Sequence, residues 1–185
     1  RKSKVMNEQE RKITAYHEAG HAVVGHVLPD SDPVHKVTII PRGHTGGVTW
    51  FLPPEDKSYK NIYELKDILA RAMGGRMAEK IIFGVDAITT GASSDLKHVA
   101  SLAKEMIIEE GMGKETRNLV FPRENEGYYT ISAGKPYSEK TAELIDKALF
   151  FNNISFGLFP KFFQVKISQQ EVASAKGSNF SYIFL

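Results

Sequence analysis

The sequence contains no cysteine. That excludes a disulfide framework and any metal site built on thiolates. A cytosolic, matrix or stromal setting is compatible with it. No apolar run approaches the roughly 18 residues that a membrane-spanning helix needs. The basic start, Arg1-Lys2-Ser3-Lys4, is not followed by the apolar core of a signal peptide and reads as the cut edge of a longer protein. Excess charge is also missing: 24 Lys and Arg stand against 22 Asp and Glu, for a net +2. A balance so close to neutral gives no reason to expect nucleic acid as a partner. No G-x-x-x-x-G-K-[ST] run occurs, so no P-loop for a nucleotide lies in these 185 residues. Internal repeats are absent as well.

What is present is an ordinary globular composition, in a chain long enough for one domain with a sizeable core or two small ones. Asn7-Glu8-Gln9-Glu10 has the form of a capping box, and Ile13, Tyr16, Ala19, Ala22, Val23 and Val27 follow at helical spacing. The spacing predicts a helix that stops before Pro29. Gly20 and Gly25 each weaken it by about 1 kcal/mol relative to Ala, so their presence points to a second backbone passing close by. The period then changes. Val37-Thr38-Ile39-Ile40 and Gly47-Val48-Thr49-Trp50-Phe51 read as short strands of a hairpin or small sheet, ended by Pro53-Pro54. A second capping box, Asn61 to Glu64, opens a helix that contains Gly74-Gly75 and ends at Gly84. Ser93 or Ser94 is the expected cap of a third helix, ending at Gly111. Residues 112–136 read as irregular or weakly extended, and Ser138 as the cap of a fourth helix through Leu149. The fold class expected is mainly α, with a small β element next to the first helix.

That first helix carries His17-Glu18-Ala19-Gly20-His21, an H-E-x-x-H motif. Four residues turn a helix by about 400°, so the two histidines share a face, one turn apart, and can bind one zinc ion. Glu18, rotated by about 100°, flanks that ion without ligating it and suits a general base. A shuffled chain of this composition contains the motif roughly one or two times in a hundred, so its placement on a capped apolar helix has to support it. The bland alternative is a helix with two solvated or core histidines.

A catalytic zinc takes three protein ligands and keeps one position open. The extended motif, H-E-x-x-H-x-x-G-x-x-H, would need a glycine and then a third histidine where this chain has Val24 and Val27. His26 lies about 140° away from His21 around the helix and reads as a surface or packing residue. The third ligand is therefore a carboxylate or one of His35, His44 and His98. Two carboxylates stand out: Glu79, after the Gly-Gly pair, and Asp95, in the first turn of the third helix. Asp95 is the modest favourite, because the helix dipole there favours the ionised form that a ligand requires; a solvated or capping role is its bland alternative. A purely structural zinc module ranks lower, since such sites fill four positions with protein ligands and no fourth is evident. A catalytically silent interaction domain is argued against by intact Glu18.

Several segments occur together in one order: Thr14-Ala15-Tyr16-His17-Glu18-Ala19-Gly20-His21-Ala22, Val37-Thr38-Ile39-Ile40-Pro41-Arg42-Gly43, Gly47-Val48-Thr49, Gly74-Gly75-Arg76-Met77-Ala78-Glu79, Thr89-Thr90-Gly91-Ala92-Ser93-Ser94-Asp95-Leu96 and Glu110-Gly111-Met112-Gly113. Together they resemble the peptidase domain of FtsH-type ATP-dependent zinc metalloproteases, which are membrane-anchored AAA+ proteases. The resemblance implies a zinc endopeptidase with one Zn2+ per chain, held by His17, His21 and Asp95. It implies Glu18 as catalytic base and Glu79 as the partner that orients a ligand histidine. Gly47-Val48-Thr49 would be an edge strand that pairs with extended, unfolded polypeptide substrates; a plain core strand is the alternative. It further implies ATP used by the full-length enzyme and not bound by this chain, a homo-hexamer, and membrane attachment through segments absent here. The peptidase domain, itself soluble, would lie on the cytoplasmic or organelle matrix or stromal side. The resemblance covers residues 1–149. From about Phe150 the chain is rich in Phe and Asn, with Glu171 its only acidic residue. Residues 150–185 read as a divergent or truncated end.

Overall fold

A computed structural model describes residues 6–41, 46–116, 118–121 and 137–154. Its elements in chain order are α1 (Glu8–Val27), β1 (Val34–Thr38), β2 (Val48–Phe51), α2 (Ile62–Phe83), α3 (Ser93–Lys104) and α4 (Glu139–Ile154). The fold is mainly helical with one small sheet, as the sequence led us to expect. The described residues divide into two compact units, with the break between Leu96 and Lys97.

In the first unit the helices begin where the capping boxes predict. The Asn7 side chain accepts from the Glu10 amide, and the Glu10 carboxylate accepts from the Asn7 amide. Asn61 and Glu64 repeat the arrangement at the start of α2. Each box satisfies orphan amide groups of a first turn, and each cap of this kind stabilises by about 1 kcal/mol. The α2 helix ends at Gly84, whose φ of +91° is open to glycine and strained for other residues.

The two long helices pack against each other through their glycines. A Cβ at Gly20 would collide with the Gly74 carbonyl oxygen and lie 2.7 Å from the Ala78 Cβ; a Cβ at Gly74 would sit 2.8 Å from the Gly20 carbonyl carbon. The close backbone approach inferred from the sequence is thus met by a reciprocal pair. At Gly25 the neighbour is the Phe51 ring instead. That ring lies under the Arg71 guanidinium at 4.2 Å, and Arg71 also pairs with Asp32 at 3.0 Å. One side chain of α2 therefore ties the sheet and the turn after α1 to the second helix.

The sheet is a two-stranded antiparallel pair with Val34 opposite Phe51 and Thr38 opposite Val48, and an irregularity between Val34 and Lys36. The first strand starts three residues earlier than the expected Val37 and leaves the sheet before Ile39. The reason is the length of its partner: β2 begins at Val48, opposite Thr38, so Ile39 and Ile40 have no strand to pair with among the described residues. Instead the Ile40 amide donates to the Thr38 hydroxyl at 3.1 Å. The expected loop between the strands falls mostly on residues 42–45, outside the described residues.

The expected cap of α3 is corrected. A 3-10 turn, Thr90–Ala92, precedes the helix, and the Thr89 hydroxyl accepts from the Gly91 amide. Ser93 already has helical angles. The turn extends the helix backward, so the cap moves from Ser93 or Ser94 to Thr89.

In the second unit α3 runs into a π-helical turn, Glu105–Glu109, which ends at Gly111. Gly111 has φ +59°, and the Met112 amide reaches back to the Met106 carbonyl at 2.7 Å, which closes the end of the π-helical turn. Ile107, Ile145 and Ala148 form the core of this unit, joined by Ile108, Phe121, Tyr137 and Leu149. Ser138 caps α4 by accepting from the Thr141 amide. That helix continues to Ile154, past the expected end at Leu149 and the expected domain boundary at 149/150. Residues 112–116 and 118–121 form neither helix nor strand, and 122–136 lie outside the described residues. So do residues 155–185 of the divergent end.

Candidate metal centre

Within the first unit α1 presents His17 and His21 side by side, with ring centroids 4.7 Å apart. Both are buried, as is Glu18. Room for the His17 ring is made by Gly75 of α2: a Cβ there would lie 2.6 Å from two ring carbons. The second glycine of the Gly74-Gly75 pair thus clears space for a side chain, while the first clears space for a backbone.

Each imidazole is held by its Nδ1. The His17 Nδ1 is 2.7 Å from the Glu79 Oε1, and the His21 Nδ1 is 2.7 Å from the Arg71 carbonyl oxygen. A carbonyl oxygen can only accept, so the His21 Nδ1 carries the proton. The Gly75 amide also lies 3.4 Å from that Nδ1, but the 2.7 Å contact is the stronger and sets the tautomer. A carboxylate does the same for His17. Both Nε2 atoms are then left as lone pairs, and they point at one another across 3.0 Å.

The third member is Asp95, in the first turn of α3. Its Oδ2 lies 3.2 Å from the His17 Nε2 and 3.6 Å from the His21 Nε2. Three acceptor atoms thus converge, and their mutual repulsion calls for a cation between them. A proton can take that place, and the titration of the site reflects it. Burial pulls the His17 pKa down, but hydrogen bonds to Asp95 and Glu79 outweigh it, and the value ends above the ordinary 6.5. Burial pushes the Asp95 carboxyl up, but the two histidines overcome it and hold it far below the usual carboxylate range.

The donor set fits zinc. A tetrahedral ion with bonds of about 2.0–2.1 Å keeps its ligand atoms about 3.3–3.4 Å apart, and the three separations of 3.0, 3.2 and 3.6 Å bracket that spacing. Two imidazoles and a carboxylate are ordinary zinc donors. Among the described residues the cluster has these three donors and no fourth, the pattern of a catalytic site and not of a closed structural one. The Asp95 side chain is 27 % exposed against 11 % and 10 % for the histidines, so solvent reaches the cluster from the Asp95 side. His26, His35 and His98 are exposed and outside the cluster, and His44 lies outside the described residues.

Glu18 is not a member of the cluster. Its Oε2 accepts from the Thr49 hydroxyl at 2.7 Å, and the same hydroxyl is 3.0 Å from the Glu18 carbonyl. Gly47 lies against it too: a Cβ there would sit 2.8 Å from the Glu18 Cγ. Gly47 and Thr49, expected together with Val48 as a substrate edge, therefore lie against Glu18. Glu79, only 1 % exposed, uses both carboxylate oxygens: Oε1 on His17, and Oε2 on the amide and hydroxyl of Thr89 at 2.8 and 2.9 Å. The contribution of Thr89 had no sequence signal beyond a threonine two residues before a glycine, and the Arg71 carbonyl had none at all.

A helical domain with an H-E-x-x-H helix, an aspartate from the start of a later helix and a solvent-reached side has a donor set of the kind that zinc metallopeptidases use. Residues 4–151 match the family model of Peptidase family M41. The chain belongs to that family. It is 44% identical over 153 residues to ATP-dependent zinc metalloprotease FtsH 3 of Synechocystis sp., covering 80% of this chain and 25% of the relative. It is 43% identical over 150 residues to ATP-dependent zinc metalloprotease FtsH of Buchnera aphidicola, covering 80% and 25%. It is 40% identical over 152 residues to ATP-dependent zinc metalloprotease FtsH of Caldicellulosiruptor bescii, covering 80% and 24%. The chain thus spans about a quarter of the length of the curated relatives it matches.

Proposed function

We propose that this chain is the zinc-dependent endopeptidase domain of an ATP-driven protease like these relatives, with His17, His21 and Asp95 as the metal ligands. The observation that carries this is the convergence of two Nε2 lone pairs and one carboxylate oxygen within 3.6 Å, with no proton donor assigned between them. When bound there, zinc supplies a Lewis acid that polarises a scissile carbonyl and makes water acidic enough to attack near neutral pH.

The chain's own residues do the rest. Glu79 and the Arg71 carbonyl hold the Nδ1 protons and thereby keep both Nε2 lone pairs facing the centre. Glu18 accepts a proton from the attacking water and delivers it to the leaving amine. The edge of β2 around Gly47-Val48-Thr49 pairs with the main chain of an extended substrate, which tolerates many side chains and suits unfolded proteins. No second strand lies on that edge among the described residues.

The peptidase domain occupies residues 1–149 and the divergent segment 150–185, a division supported by the family match to residues 4–151. In the whole protein the domain works in a homo-hexamer on the cytoplasmic, matrix or stromal side of a membrane. ATP drives substrate into it from a module outside this chain. The family resemblance supports these last assignments. No described helix is long and apolar enough to cross a membrane.

The deciding experiment is zinc per chain in the purified protein against Asp95→Ala. About one zinc, lost or loosened in the variant, is expected for a His-His-Asp site. A folded parent with no zinc, or an Asp95→Ala variant that holds zinc as tightly as the parent, overturns the assignment.

A further inference from the structure

Thr89 has all of its polar groups engaged, and two of its four bonds run to the carboxylate that holds His17. Its amide and hydroxyl both donate to the Glu79 Oε2, at 2.8 and 2.9 Å. Its hydroxyl accepts from the Gly91 amide at 3.1 Å, which leaves the hydroxyl hydrogen for Glu79 alone. Its carbonyl accepts from the Arg76 guanidinium at 3.0 Å. Glu79 and Arg76 belong to α2, whereas Thr89 opens the turn that leads into α3 and Asp95. The opposite oxygen of the Glu79 carboxylate is the one that holds His17.

We infer that Thr89 is a positioning residue that joins the Asp95 segment to the support of His17, so that ligands 78 residues apart are set together through one buried carboxylate. The inference rests on the metal site proposed above. A buried carboxylate that must hold a histidine Nδ1 in one orientation needs its other oxygen satisfied, or it turns to find a donor. Thr89 supplies two donors at once. It does so from the residue that caps the turn before α3, so any slack in Glu79 becomes slack between His17 and Asp95. Valine keeps the size and branching of threonine but removes the hydroxyl; serine keeps the hydroxyl.

The test is zinc affinity by competition with a chromogenic chelator, on the full chain and its Thr89→Val and Thr89→Ser variants, with thermal unfolding of each metal-free protein alongside. Outer partners of metal ligands typically change affinity by about 10- to 100-fold. We expect Thr89→Val to bind zinc about 10-fold more weakly while the metal-free protein still folds, its melting temperature lowered only by the loss of one cap, and Thr89→Ser to stay within about 3-fold of the parent. In a Glu79→Ala background the valine change should add little, because the two act as one unit. Unchanged affinity in Thr89→Val overturns the inference while leaving the metal site standing. Equal weakening by valine and serine, or weakening that accompanies loss of the metal-free fold, assigns Thr89 to packing and overturns it too. A parent that binds no zinc removes the metal site itself, and this inference with it.

Discussion

The Thr49 hydroxyl lies 2.7 Å from the Glu18 carboxylate and 3.0 Å from the carbonyl of the same residue. The single hydrogen of this hydroxyl serves the nearer acceptor, the carboxylate, so a side chain of the sheet fixes the residue proposed as general base. Loss of one such hydrogen bond is worth about 1 kcal/mol, or roughly five- to tenfold in rate. Thr49→Val should lower kcat by that factor, with KM and zinc content unchanged, and Thr49→Ser should restore it. A rise in KM with kcat intact would instead assign Thr49 to substrate binding alone.

Glu18 itself stands outside the cluster of ligand atoms. Glu18→Gln should therefore retain zinc while peptide cleavage falls by about 10²- to 10⁴-fold, the usual contribution of a positioned base. Metal analysis and cleavage of an unfolded polypeptide check this together. A variant that sheds its zinc would contradict the role.

Gly75 is a sensitive position of a different kind. Replacing a helical Gly with Ala ordinarily gains up to about 1 kcal/mol of helix propensity. Here the new methyl would overlap the His17 ring, and overpacking costs about 1–3 kcal/mol. The second effect wins. Gly75→Ala should lower the melting temperature of the metal-free protein and weaken zinc binding by displacing His17. A variant as stable as the parent, with zinc affinity intact, would show that the ring has room to move.

The acid–base behaviour of the metal-free protein follows from the two shifted groups. His17 is raised above its ordinary 6.5, so its contribution to stability is complete below that pH and is lost as pH rises through its folded value. Asp95 is depressed below its ordinary 3.8, so its contribution is present above that pH and is lost as pH falls through its folded value. The pair therefore favours mildly acidic conditions for the metal-free fold. Zinc requires neutral His17, so its affinity should fall as pH drops through the raised value. Melting temperatures with and without zinc, followed from mildly acidic to mildly alkaline pH, should show the benefit of the metal growing with pH. A zinc benefit that is flat or shrinks over that range would contradict the assignment.

Much of this protein was legible in its sequence because the relevant rules act over short distances. Capping boxes at Asn7 and Asn61 and the cap at Ser138 operate within one helical turn, and the helices begin where those residues stand. The spacing of His17 and His21 places both on one face of α1 through helical geometry alone. The inference that Gly20 marks a close backbone approach also needed only the cost of glycine in a helix; at Gly25 the same inference met the Phe51 ring instead of a backbone. Where a local rule met a competing local structure it failed: the 3-10 turn at Thr90–Ala92 moved the cap from Ser93 or Ser94 to Thr89.

Only the tertiary structure decided what stands opposite those residues. From residue types alone, Glu79, Asp95, His35, His44 and His98 all remained candidates for the third position. Packing of α1 on α2, at a separation that glycines permit, brings Glu79 to the outer nitrogen of His17. The turn after α2 carries Asp95 to the inner one. Thr49 reaches Glu18 across 31 residues and Thr89 reaches Glu79 across 10. The physical reason is range. Helical spacing and capping relate residues about four apart along the chain. Which acceptor faces which donor across helices depends on packing distances and orientations that no local pattern encodes.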